Sequence, residues 1–183
     1  MLACFAVVFI LQLGPRITAP FGDSHDGRNG GVWGMAARAV RTHGIVKSRI
    51  GARLETPEGT TRIYAHHPPL ITVETAAMQA VFGESHLATR GPAWIGSLAV
   101  IALVYAIARN CGARPLMAAC GTVFGLGTRM FFVFGGMLDT PVVGLPVALA
   151  VVLAWQWVTT RHDTRLWPLA AATVFAVLAA WEA

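Results

Sequence analysis

Apolar and charged residues occupy separate stretches of this chain. More than half of the Lys, Arg, Asp and Glu side chains fall between Arg16 and Arg62, and long apolar blocks stand on either side. The blocks are 1–13, Ala93–Ala108, Pro115–Phe134, Thr140–Val158 and Leu166–Ala183. A helix rises ~1.5 Å per residue, so a hydrocarbon core of ~30 Å needs about 20 apolar residues. Only 13% of the 183 residues are charged, whereas a soluble domain carries about a quarter. These features predict an all-α polytopic membrane helix bundle, read as a single domain over 1–183 with five spans. Residues 14–92 form its long first loop. The first block, at 13 residues, is short for a crossing, and we expect its beginning to lie upstream.

The loop holds no apolar run long enough to span, but two amphipathic helices fit within it. Trp33, Ala36, Ala37 and Val40 repeat at helical spacing over Gly31–Thr42, and Leu70, Val73, Ala77 and Val81 do so over Pro69–Phe82. Pro69 suits a first helical turn and Gly83 a stop. Such helices can lie in the membrane interface. Trp94, Trp155, Trp157, Trp167 and Trp181 fall near block ends, where interface aromatics gather. Gly121, Gly125 and Gly127 predict close packing of the third span.

Alternation fixes an expected topology. With the first helix starting in the cytoplasm, the short basic turns Arg109–Arg114 and Arg161–Arg165 both fall inside, as the positive-inside rule requires. The loop 14–92 and the turn Gly135–Asp139 then fall on the extracytoplasmic face of the plasma (inner) membrane. The formal net charge is +5, yet no basic run with interleaved aromatics occurs. Nucleic acid is therefore not expected as a partner, and membrane lipid is. Cys4, Cys111 and Cys120 lack metal-ligand spacing and read as free thiols.

Three polar clusters share the outer face. Asp23, His25, Asp26 and Arg28 follow the first span, and a carboxylate there can serve as a general base. Arg62, Tyr64, His66 and His67 precede Pro68-Pro69 at a helix start, where free N–H groups favour an anionic oxygen. Asp139 precedes the fourth span. Arg129 lies near the outer end of the third and can snorkel, pair with Asp139 or bind phosphate. Carboxylates at the mouth of a helix bundle are functional candidates.

The order of these motifs resembles a known family. The acidic motif after the first span is followed by WGMAARAVRTHG from Trp33 to Gly44. YAHHPPLITVETAAMQAVFGESHLATRGPAWIGSLAVIALVYAIAR then runs from Tyr64 to Arg109, and Asp139 closes the pattern. Together they resemble the N-terminal half of the GT-C glycosyltransferases, in particular protein O-mannosyltransferases and the lipid A aminoarabinose transferase. The resemblance implies a membrane hexosyl- or pentosyltransferase. Its donor would be a polyprenyl-phosphate sugar, and its acceptor a lipid, glycan or protein at the cell envelope. It implies Asp26 as general base with Asp23 as the alternative, and Asp139 as a second acidic residue organising the site. Arg62, Tyr64, His66, His67, Arg28 and Arg129 are assigned to substrate binding. His67 stands where many relatives carry Lys. Relatives differ in metal requirement, so a divalent metal stays open and no cofactor is assigned. Family members are longer, so the resemblance implies a fragment or truncated gene product, whose activity by itself stays open. The competing classes are a transporter or flippase component and a non-catalytic membrane subunit.

Overall fold

The computed structural model describes residues 1–55, 59, 61–64, 69–161, 167, 169–172 and 174. Seven helices and one hairpin follow in chain order among the described residues. They are α1 (Leu2–Ile17), α2 (His25–Ser48), β1 (Ala52–Glu55), β2 (Thr61–Tyr64), α3 (Pro69–Phe82), α4 (His86–Asn110), α5 (Pro115–Leu126), α6 (Arg129–Phe134) and α7 (Thr140–Arg161). The protein is thus an all-α membrane helical protein with a two-stranded antiparallel ornament, in which Ala52 pairs with Tyr64 and Glu55 with Thr61. The hairpin was not expected from the sequence.

Local chemistry explains where the helices start and stop. Ser24 caps α2, its Oγ accepting the Gly27 N–H at 3.4 Å, so the acidic cluster is the first turn of a helix longer than Gly31–Thr42. Gly44, at φ 77°, kinks that helix near its end, a conformation glycine adopts without a Cβ clash. Helix α3 covers the residues expected of it. Ser85 caps α4, which begins seven residues before the apolar block at Ala93. The block Pro115–Phe134 is two helices, because α5 stops at Gly127 and Thr128 caps α6.

Helix α4 is the centre of the bundle, packing against α1, α2, α3, α5 and α7. Consecutive α4 residues, about 100° apart around the axis, serve two cores. Ala93 joins Trp33, Ile71, Leu138 and Val143. Trp94 joins Phe9 and Leu13, with Phe131 and Phe132 packed on them. Trp94 is therefore a buried core aromatic and not an interface residue. Its ring centroid lies 6.1 Å from that of Phe9, which lies 5.2 Å from Phe131. Close backbone approach occurs at Gly96, where a Cβ would stand 2.8 Å from the Val142 carbonyl oxygen of α7. Gly121 and Gly125, expected to pack closely, face open space.

Two described helices, His86–Asn110 and Thr140–Thr160, are long and apolar enough to cross a membrane, where the sequence predicted five spans. Helices α1, α3 and α5 are apolar but shorter, and most of 166–183 lies outside the described residues. Large apolar side chains point away from the bundle, among them Leu11, Phe124, Val152 and Trp155. Exposed apolar surface of this extent is the signature of a lipid-facing bundle. The three cysteines are free thiols.

Candidate active site

One end of the bundle gathers the end of α1, the start of α2, the first turns of α4 and the turn between α6 and α7. Arg90 stands in the second turn of α4 with its side chain only 3% exposed. A buried guanidinium must find partners for its donors, and here it makes four hydrogen bonds to three acceptor atoms. Its Nη2 and Nε donate to Asp26 Oδ2 at 2.7 and 3.2 Å. Its Nη1 donates to the backbone carbonyls of Ala19 at 2.6 Å and Ile17 at 3.5 Å. The Phe21 ring stacks beneath it, 4.1 Å from centroid to Cζ, a cation–π contact.

The pairing is lopsided in a useful way. Both guanidinium donors go to Asp26 Oδ2, while Oδ1 is buried and accepts no hydrogen bond among the described residues. The carboxylate thus has one oxygen clamped and one with its lone pairs uncommitted. Asp26 and Arg90 border a cavity of about 420 Å³ closed by Leu13, Val133 and Met137. His25, the neighbour of Asp26, borders the same cavity. Its Nε2 lies 3.5 Å from Asp139 Oδ2 and 3.3 Å from the Asn29 amide. The other Asp139 oxygen accepts the Thr140 N–H at 2.8 Å, at the head of α7. The first turn of α2 therefore ties together the two predicted acidic positions, Asp26 through Arg90 and Asp139 through His25.

A second cavity of about 290 Å³ adjoins the first. It is lined by Arg16 and Arg129, with Gln12, Phe132 and the shared residues Leu13 and Val133. Arg16 borders both cavities. Two arginines facing one small cavity suit an anionic oxygen group, since guanidinium forks bind phosphate and carboxylate. Among the described residues Arg129 does not pair with Asp139, which lies instead against His25. Ser97 braces this end, its Oγ donating to the Gly135 carbonyl at 2.6 Å.

Other predicted residues sit apart. Asp23 and Arg28 are exposed and line none of these cavities. The side chains of Arg62 and Tyr64, and all of His66 and His67, lie outside the described residues. Among the described residues no three His, Cys, Asp or Glu side chains converge to hold a metal ion. Sequence reasoning passed over Arg90 and Arg16. The signal for Arg90 was a lone cation heading a long apolar run, since a charge inside such a block needs a partner. Glu74 of α3 stands elsewhere, and its burial raises the carboxyl pKa above the ordinary value.

No curated protein and no solved structure matches the chain. A family model described as dolichyl-phosphate-mannose-protein mannosyltransferase matches residues 66–179, more than half of the sequence. That stretch carries Arg90, Arg129 and Asp139, and it contains α4, the helix against which Asp26 is clamped. The chain belongs to the dolichyl-phosphate-mannose-protein mannosyltransferase family.

Proposed function

We propose that this membrane glycosyltransferase moves a sugar from a polyprenyl-phosphate carrier to an acceptor hydroxyl on the non-cytoplasmic face. Asp26 acts as general base. The observation that carries the reading is its clamped carboxylate, with Oδ1 uncommitted beside a cavity that adjoins two arginines. In the reaction, Asp26 Oδ1 takes the proton of the acceptor O–H as that oxygen attacks the anomeric carbon. The bond from that carbon to the phosphate oxygen breaks, and its electron pair leaves with polyprenyl phosphate. Arg16 and Arg129 hold the phosphate and oppose the charge that grows on it. Asp139 stands beside His25 of the first turn of α2 and adds a second carboxylate to this end of the bundle. Asp23 and Arg28, being exposed, fit outer roles, and Arg62, Tyr64, His66 and His67 are assigned to the carrier headgroup by family resemblance.

The direction of α4 supports this sidedness. Its Arg90 end carries the acidic residues, and its Arg109 end leads to the basic turn 109–114, which the positive-inside rule puts in the cytoplasm. The test uses membranes containing the protein and radiolabelled polyprenyl-phosphate sugars. Asp26→Asn should reduce transfer by about 10²-fold or more, the usual scale of a lost general base. Arg16→Gln and Arg129→Gln should raise the donor KM. Undiminished transfer by a folded Asp26→Asn protein rules out the proposed base.

A further inference from the structure

We infer that a third cavity, an open cleft between α2, α3 and α4, binds a neutral hydroxyl-bearing ligand, a sugar ring or polyol, through Gln79. This cavity measures about 540 Å³, within the range of small-molecule sites. Gly30, Gly31 and Gly34 of α2 form one wall, and Gln79 and Thr89 another. Gly31 leaves real room, for a Cβ built there meets nothing within 4 Å.

Gln79 is 3% exposed and half satisfied. Its Nε2 donates to the Gly34 carbonyl at 3.4 Å and to Thr89 Oγ1 at 3.3 Å. The Thr89 hydroxyl passes its own proton to the Ser85 carbonyl at 3.0 Å. Gln79 Oε1, however, is buried and accepts no hydrogen bond among the described residues. Turning the amide over would set its oxygen against the Gly34 carbonyl oxygen, so the orientation is fixed. A buried acceptor left without a donor is destabilising, and because the Gln79 side chain lines the cavity, a ligand donor bound there would relieve it.

That acceptor defines the ligand class. A phosphate monoester dianion or a carboxylate has no proton to give. An ammonium is opposed at the rim, where Arg38 and Arg41 lie 3.6 and 3.2 Å from the single carboxylate of Glu84 and leave a net positive charge. A neutral O–H or N–H donor remains, and a ring bearing several hydroxyls, unlike a lone amide N–H, can also use the Glu84 carboxylate and the Arg38 guanidinium that line the same cleft. The position adds a role. Phe21 lines this cavity, and its ring carries Arg90, the residue that clamps Asp26. Under the transferase reading, and resting on it for this point alone, the cavity holds the sugar or polyol unit of the acceptor.

The test measures binding without transfer, using the full chain in detergent. Methyl α-glucoside, methyl α-mannoside and inositol are titrated by saturation-transfer NMR and calorimetry, with inorganic phosphate and a blocked dipeptide as controls. At least one hydroxylated probe should bind, and phosphate and dipeptide should not. Gly31→Leu, which fills the cavity at a helical site with space for it, should weaken binding at least tenfold, as should Gln79→Met. Binding is read without a sugar donor and without transfer, so a failed transferase reading does not touch this result. Should Gln79→Met not fold, Gly31→Leu decides alone. Binding unaltered by Gly31→Leu, no binding of any hydroxylated probe, or preferential binding of the dipeptide or phosphate would overturn the inference.

Discussion

Removing the Arg90 guanidinium should destabilise the protein and disorganise the base in one step. Arg90→Met keeps much of the side-chain volume and deletes all four hydrogen bonds, two to Asp26 and one each to Ile17 and Ala19. Breaking a buried pair by losing one partner costs ~3–5 kcal/mol, because the other charge stays behind uncompensated. Asp26 is 31% exposed, so water recovers part of that loss and the low end applies. About 3 kcal/mol corresponds to roughly a hundredfold shift in the folded-to-unfolded ratio. Arg90→Lys keeps the charge but offers one ammonium where a planar fork served two directions, and should recover less than half of the loss. The assay is a double-mutant cycle of Asp26→Asn and Arg90→Met, read by tryptophan fluorescence during denaturation in mixed micelles. A coupling of about 2 kcal/mol is expected, within the range for residues in one network. A coupling under about 0.5 kcal/mol would mean that the two residues contribute independently, and the clamp would lose its role.

Glu74 gives a pH signature. Its folded pKa is raised by burial from 4.5, so the stability it lends is complete below the unfolded pKa and is lost as pH rises through the folded value. Glu74→Gln should flatten that decline and raise the midpoint of thermal unfolding at neutral pH, and an unchanged pH profile would contradict it. Ser97→Ala removes the buried bond to the Gly135 carbonyl and should destabilise by ~1–3 kcal/mol in denaturant titration. Gly96→Ala sets a methyl 2.8 Å from the Val142 carbonyl, so thermal unfolding should show a lower midpoint through separation of α4 from α7, and an unchanged one would deny the close crossing.

The sequence made the helices legible wherever local chemistry marks an end. Pro69 and Gly83 bracket α3, and Gly83 takes φ 74° as a stop requires. It was silent where polarity misleads. The first turns of α4 read as loop because His86, Thr89 and Arg90 are polar, yet Thr89 and Arg90 are buried there with their partners in place. The break between α5 and α6 was hidden because an apolar run has the same composition with or without an interruption at Gly127. The hairpin strands are only four residues each, too short for alternation to be read. Asp26 and Asp139 could be picked as carboxylates near span ends. Their connection through Arg90 and His25 could not, because it joins residues 64 apart in one case and separate helix heads in the other.

That long-range connection explains why arginine, and not another cation, occupies position 90. A single planar group sets the register of three segments. It holds the carboxylate at the head of α2, the carbonyls that end α1, and the Phe21 ring between them. The end of α1 carries Arg16, which borders both the base cavity and the small arginine-lined cavity. Phe21 in turn lines the cavity of Gln79. The base, the anion site and the hydroxyl site are thereby positioned from one buried guanidinium on the central helix. Lysine has the charge for the first contact but no second and third donor at fixed angles for the others. Preorganisation of this kind places the rigid element α4 behind groups carried by three other helices, whose relative shifts would otherwise exceed what a reaction tolerates.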